Sequence, residues 1–173
     1  ATIAPGAVVT VAVDTVANFQ LVYGSAPTFS IASGTMTSIS ATGAGTLTNS
    51  GEPVVLFRWD GQADLVADVD IVIVGVPTAT NLLADKGAQA IDGPDADSAT
   101  TAYSADARTI AAQSTTPASG LSTKRIALET GHEIQNGTGN GIVGDDETSE
   151  DTSSTWDTTF TAPTPGSVPT GLL

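Results

Sequence analysis

The chain of 173 residues contains no cysteine, one histidine, one methionine and only five basic side chains. Without cysteine there are no disulfides, no thiolate nucleophile and no thiolate metal ligand. With five Lys and Arg against 19 Asp and Glu, the net charge is −14. Nucleic-acid binding needs clustered Lys and Arg, so this balance argues against it, and against docking on anionic lipid. Aromatic residues make up 5%, too few to line a sugar cleft and fill a core at once. No apolar run is long enough to span a bilayer; the longest, Ile71 to Val76, has the size of a strand. Ala1 is followed by Thr2 and Ile3 with no basic stretch before an apolar one, so Ala1 reads as a processed or truncated start.

What is present is Ser and Thr, about a quarter of the chain, with 40% hydrophobic residues. That hydrophobic share separates the chain from compositional disorder, and its length suits one domain with a buried core. A Thr-, Val- and Gly-rich, Lys-poor chain favours strands and turns and fits an extracellular or cell-surface location. The acid excess is also the balance expected of a protein that lives in high salt.

Alternation marks the strands. In PGAVVTVAVD, residues 5–14, Val9, Val11 and Val13 share one face. Residues 15–23 carry helix signals: Val16, Phe19 and Tyr23 fall on one side, Asp14 or Thr15 caps the start and Gly24 ends it. A weak strand is expected near Met36 to Ala41. The strongest strand is 53–59, with Val55, Phe57 and Trp59 on one face, followed by an Asp60-Gly61 turn. Its partner, Leu65 to Val74, places Val69, Ile71 and Ile73 on the core face and Asp68 and Asp70 on the other. Were Phe57 on the core face, Phe57→Ala would cost about 3–5 kcal/mol. Residues 77–121 read as an insertion with a possible short element at Asp106 to Gln113, residues 122–129 as a strand, and residues 145–155 as a solvated acidic loop. The tail beyond Gly166 is extended.

Catalytic chemistry is hard to assemble, and no catalytic residue is assigned. His132 is the sole imidazole and sits in a turn-rich stretch, and no GxSxG, P-loop or dinucleotide motif occurs in the right context. Three acidic groups could attract a hard cation. Asp92, Asp95 and Asp97, in IDGPDAD, are the best calcium ligands by spacing, although Tyr103 stands where an EF-hand would need glutamate. The others are Asp60, Asp64, Asp68 and Asp70, and Asp145, Asp146, Glu147, Glu150 and Asp151. A solvated acidic loop is the plain reading of each. Asn136-Gly137-Thr138 also matches the N-glycosylation triplet.

The order of TIAPGAVVTVA (residues 2–12), the hairpin GEPVVLFRWDG with ADLVADVD, Lys124-Arg125 in STKRIAL, and Trp156 before PTPG resembles the lamin-tail domain. The resemblance implies an all-β, immunoglobulin-like two-sheet sandwich over residues 1–166, with 77–121 inserted, at most one or two short helices, and residues 167–173 as a tail. It implies a secreted structural or attachment module rather than an enzyme. Family members begin with a segment that this chain lacks, which would leave a sheet edge open. The expected partner is then another copy of the chain, joined by edge-strand pairing into a surface fibre, filament or layer. The alternatives are an accessory domain of a secreted hydrolase such as a nuclease, and a calcium-dependent binding module. Neither nucleic-acid binding nor membrane insertion is expected.

Overall fold

A computed structural model describes residues 2–36, 52–74, 90–93, 95–102, 117–135, 137 and 139–172. The strand expected from Met36 to Ala41, the element at Asp106 to Gln113, Tyr103, Asn136 and Thr138 lie outside the described residues, Met36 itself excepted. The chain divides into two compact units: residues 1–47 with 162–173, and residues 48–161.

In the first unit, strand β1 (Val11–Ala12) and strand β2 (Phe29–Ser30) pair in parallel, Val11 with Phe29 and Ala12 with Ser30. Parallel neighbours need a crossover, and helix α1 (Val16–Tyr23) lies within it. The helix starts where its cap residues predict. The Thr15 hydroxyl accepts from the Asn18 N–H, and Asp14 accepts from the Asn18 side chain at 2.9 Å. Gly24, at φ 76°, closes it by donating to the Gln20 carbonyl. Phe19 and Tyr23, one turn apart, stack with ring centroids 4.6 Å apart. The alternating run from Val8 to Val13 forms a ladder only over Val11–Ala12. Main-chain groups on either side of it are met by side chains: the Thr10 and Thr28 hydroxyls each accept the other residue's N–H.

The second unit is organised by the hairpin of β3 (Glu52–Arg58) and β4 (Ala67–Val74). It is antiparallel, with Val55 opposite Ile71 and Leu56 opposite Asp70. The next pair is Phe57 with Asp68, so Val69 is an extra residue in β4, a β-bulge. Strict alternation predicts Asp68 on the solvent face. The bulge instead turns it onto the face of Ile71, and both side chains are buried. Phe57, opposite Asp68, stays 36% exposed, so the expected Val55–Phe57–Trp59 core face breaks after Val55. Strand β5 (Ala90–Ile91) pairs antiparallel with β6 (Thr101–Ala102).

Residues 122–129 do not form the expected continuous strand. Ser122 and Arg125 make single bridges to Thr161 and Trp156, because the Ile126 and Ala127 N–H groups both turn to the Thr155 carbonyl. Helix α2 (Thr152–Thr155) is one turn, capped by the Asp151 carboxylate, which accepts from Ser153 and Ser154. Among the described residues, the buried apolar side chains are Ala12, Val66 and Ile71, while eight buried side chains are polar or charged. Of those eight, all but Ser30 lie in the second unit. No helix among the described residues is long and apolar enough to cross a membrane.

Candidate functional site

The polar interior of the second unit is built around Arg125. Its guanidinium forks onto Glu150, Nη1 donating to Oε1 at 2.7 Å and Nη2 to Oε2 at 3.2 Å. Nη2 also donates to Asp70 on β4, and Glu129 lies 3.3 Å from Nη1. The plane of the fork sits over the Trp156 ring, 5.0 Å from its centroid. One cation therefore meets three carboxylates and an aromatic face, drawn from β4, the 125–129 segment, the acidic loop and the end of α2. Planar, bidentate pairing of this kind suits arginine and not lysine. The Glu150 side chain is fully buried and that of Arg125 is 13% exposed. Burial alone would lower the Arg125 pKa; the hydrogen bonds and charges of Glu150 and Asp70 outweigh it and hold the guanidinium charged. Burial raises the Asp70 pKa against the pull of Arg125.

Residues 145–155 are not the solvated loop their composition predicts. Asp146, Glu147, Thr148, Glu150, Thr152 and Thr155 are all buried. Main-chain pairing draws them in. The Asp146 N–H donates to the Ile134 carbonyl, Asp151 N–H to that of His132, and Asp157 N–H to that of Lys124. Side chains close the remaining gaps: the Thr148 hydroxyl donates to Asp146, and the Ser149 hydroxyl accepts from the Ile134 N–H. The loop before it docks on β4, where the Asp68 N–H donates to the Asn140 carbonyl at 3.0 Å. Gly141 is required here: a Cβ would lie 2.6 Å from the Asp145 carbonyl oxygen and 3.0 Å from Glu147 Oε1.

Two carboxylate oxygens in this region lack donors. Oε2 of Glu133 and Oε2 of Glu147 are buried and accept no hydrogen bond. Burial, then the charge of Glu133, raises the Glu147 pKa to about 8, with Glu129, Asp70 and Asp68 adding to the effect. Burial raises that of Glu133 to about 7; a hydrogen bond from Gln135 opposes this, and Glu129, Asp145 and Glu150 reinforce it. A carboxyl whose folded pKa exceeds its unfolded one holds its proton better when folded. Stability from these groups is thus full below about pH 4.5 and is lost as pH rises through about 7 and 8. In a chelating buffer, the melting temperature is expected to fall by about 4–8 °C between pH 5 and pH 8. This corresponds to on the order of 2 kcal/mol after solvent screening. A thermal-melt series across that range checks it. The exposed carboxylates Asp14, Asp60 and Asp157 have lowered pKa values, each from hydrogen bonds, and act in a separate, more acidic window.

The other acidic groups have local roles. Asp60 accepts from the N–H groups of Gln62 and Ala63, both at 2.8 Å. Asp64 accepts from the Gly93 N–H at 2.9 Å and the Thr101 hydroxyl at 3.0 Å, which fastens the β5–β6 pair to the turn after β3. Asp92, Asp95 and Asp97 are exposed, and the last two close turns onto the N–H groups of Asp97 and Ala99. Among the described residues, no group of three or more acidic or histidine side chains is arranged to hold a metal ion. His132 is exposed. No family model, curated protein or solved structure matches the chain. The site rests on its own geometry. The sequence marks the acidic run 145–151 and the pair Lys124-Arg125 separately. It carries no signal that Arg125 would join that run to β4, or that Glu129 and Glu133 would stand beside it.

Proposed function

We propose that the chain is a non-enzymatic extracellular structural or attachment module of the immunoglobulin-like, lamin-tail type, which self-assembles through an open sheet edge. The observation that carries this reading is the outer edge of β3. No described strand pairs with it, and Val54, Leu56 and Phe57 along it are at least 36% exposed. An unpaired, apolar edge is a template for another chain's strand. On the other side of the hairpin, β4 is already bridged to Gly141 at Asp68. The buried charges fit a load-bearing role: Arg125 and its carboxylates tie segments that are 25 and 55 residues apart in sequence.

The donor in this reading is the N-terminal run up to Val13, in which Val8 and Val11 are exposed and only Val11–Ala12 is in a ladder. Main-chain pairing would supply affinity, and alternate side chains the register. Val54→Lys places a charge on the edge opposite Val72, away from Asp70, Arg125 and Ile71. It is expected to leave the far-ultraviolet circular dichroism unchanged and to abolish concentration-dependent light scattering. Removal of residues 1–13, which also takes away β1, is expected to abolish the scattering too. Self-association that survives both changes would refute edge pairing.

A further inference from the structure

We propose that Glu133 and Glu147 together hold one hard divalent cation, calcium by its chemistry, beneath the loop that runs from Gly139 to Glu147. The placement follows from main-chain register. Ile134 and Asp146 form an antiparallel bridge. The bridge brings the residues beside it, Glu133 and Glu147, onto neighbouring stretches of chain, where Glu147 opens a single 3-10 turn, Glu147–Ser149. Like charges brought together away from water repel.

Glu147 is 5% exposed, and its Oε2 is buried with no donor. Oε2 of Glu133 is in the same condition. The charged groups acting most strongly on Glu147 are all carboxylates: Glu133, Glu129, Asp70 and Asp68. Arg125 spends its contacts on Asp70, Glu129, Glu150 and the Ala127 carbonyl, not on Glu133 or Glu147. Two buried, acceptor-only oxygens in a negative field call for a positive partner.

The donors select the ion. They are carboxylate oxygens with no cysteine in the chain, which disfavours zinc. Calcium accepts six to eight oxygens in irregular geometry, including main-chain carbonyls and water. Two carboxylates are therefore enough side-chain ligands, and no third is required.

The test uses the full chain, dilute, at pH 7.5, in chelator and in millimolar calcium chloride. Melting is followed together with Trp156 fluorescence in a Trp59→Phe background. Calcium is expected to raise the melting temperature by several degrees. Glu147→Gln and, separately, Glu133→Gln are expected to abolish the calcium response. Each should melt in chelator at or above the parent temperature, because each removes one of two buried carboxyl groups of like charge. Asp92→Asn should keep the full response. The proposal is overturned by identical melting with and without calcium, by a response that persists in both glutamine variants, or by one that disappears in Asp92→Asn.

Discussion

Arg125→Met is expected to destabilise the second unit by about 3–5 kcal/mol, the range for removing one partner of a buried ion pair. The cost comes from what is left behind. Glu150 has no exposed side-chain surface, and Asp70 and Glu129 are each about one-third exposed. All three would keep their charge and lose their shared cation. The Trp156 ring would also lose the guanidinium that covers it. Arg125→Lys should fall between the variant and the parent, since a point charge cannot reproduce the two-pronged contact with Glu150. The loss should shrink as pH falls, because Asp70, whose pKa is already raised by burial, can then take up a proton. Urea denaturation at pH 7.5 and pH 5 measures both points. A cost below 1 kcal/mol at pH 7.5 would mean that the cluster is solvated.

Ile71→Ala is expected to cost about 2–5 kcal/mol. Ile71 is 1% exposed in the middle of β4, opposite Val55, and few other described apolar side chains are buried in this unit. The contrast with Phe57→Ala is the sharper part of the expectation. Phe57 is larger, yet it lies past the bulge and is 36% exposed. Its truncation should cost only about 1–2 kcal/mol, the value for partial burial of apolar surface. Denaturant midpoints of the two variants, measured side by side, decide the matter. The opposite ranking would mean that the strands pair in strict alternation, with no extra residue at Val69.

These two expectations show where the sequence was legible. Helix α1 could be read because its signals are local: Thr15 accepts from the Asn18 N–H, and Gly24 supplies the left-handed stop. The β3–β4 hairpin could be read because period-two alternation and an Asp-Gly turn are also local. The bulge could not, since Val69 looks like any other inward residue of β4. Missing it misplaces Asp68, because the extra residue exchanges the faces of β4 beyond it, and leaves Phe57 opposite an acid instead of an apolar side chain. The acidic loop was visible as a charged run, and charge alone predicts solvation. Its burial depends on main-chain bonds to Ile134, His132 and Lys124, which lie 12 to 33 residues away in sequence. Arg125 is one of five basic residues, and nothing in its own neighbourhood announces that Asp70 and Glu150 will converge on it. The immunoglobulin-like sandwich is an expectation drawn from the resemblance to the lamin-tail domain; the described strands form three two-stranded sheets.

Assembly through the edge of β3 that no described strand pairs is the central claim, and sedimentation velocity tests it most directly. The intact chain would be run in physiological salt across a concentration series from micromolar to near-millimolar. The expected result is a distribution that shifts to larger species with concentration, changes little in high salt because the contacts are main-chain, and collapses to a monomer for Val54→Lys. A single monomer boundary at every concentration, for the intact chain and the variant alike, would contradict the claim.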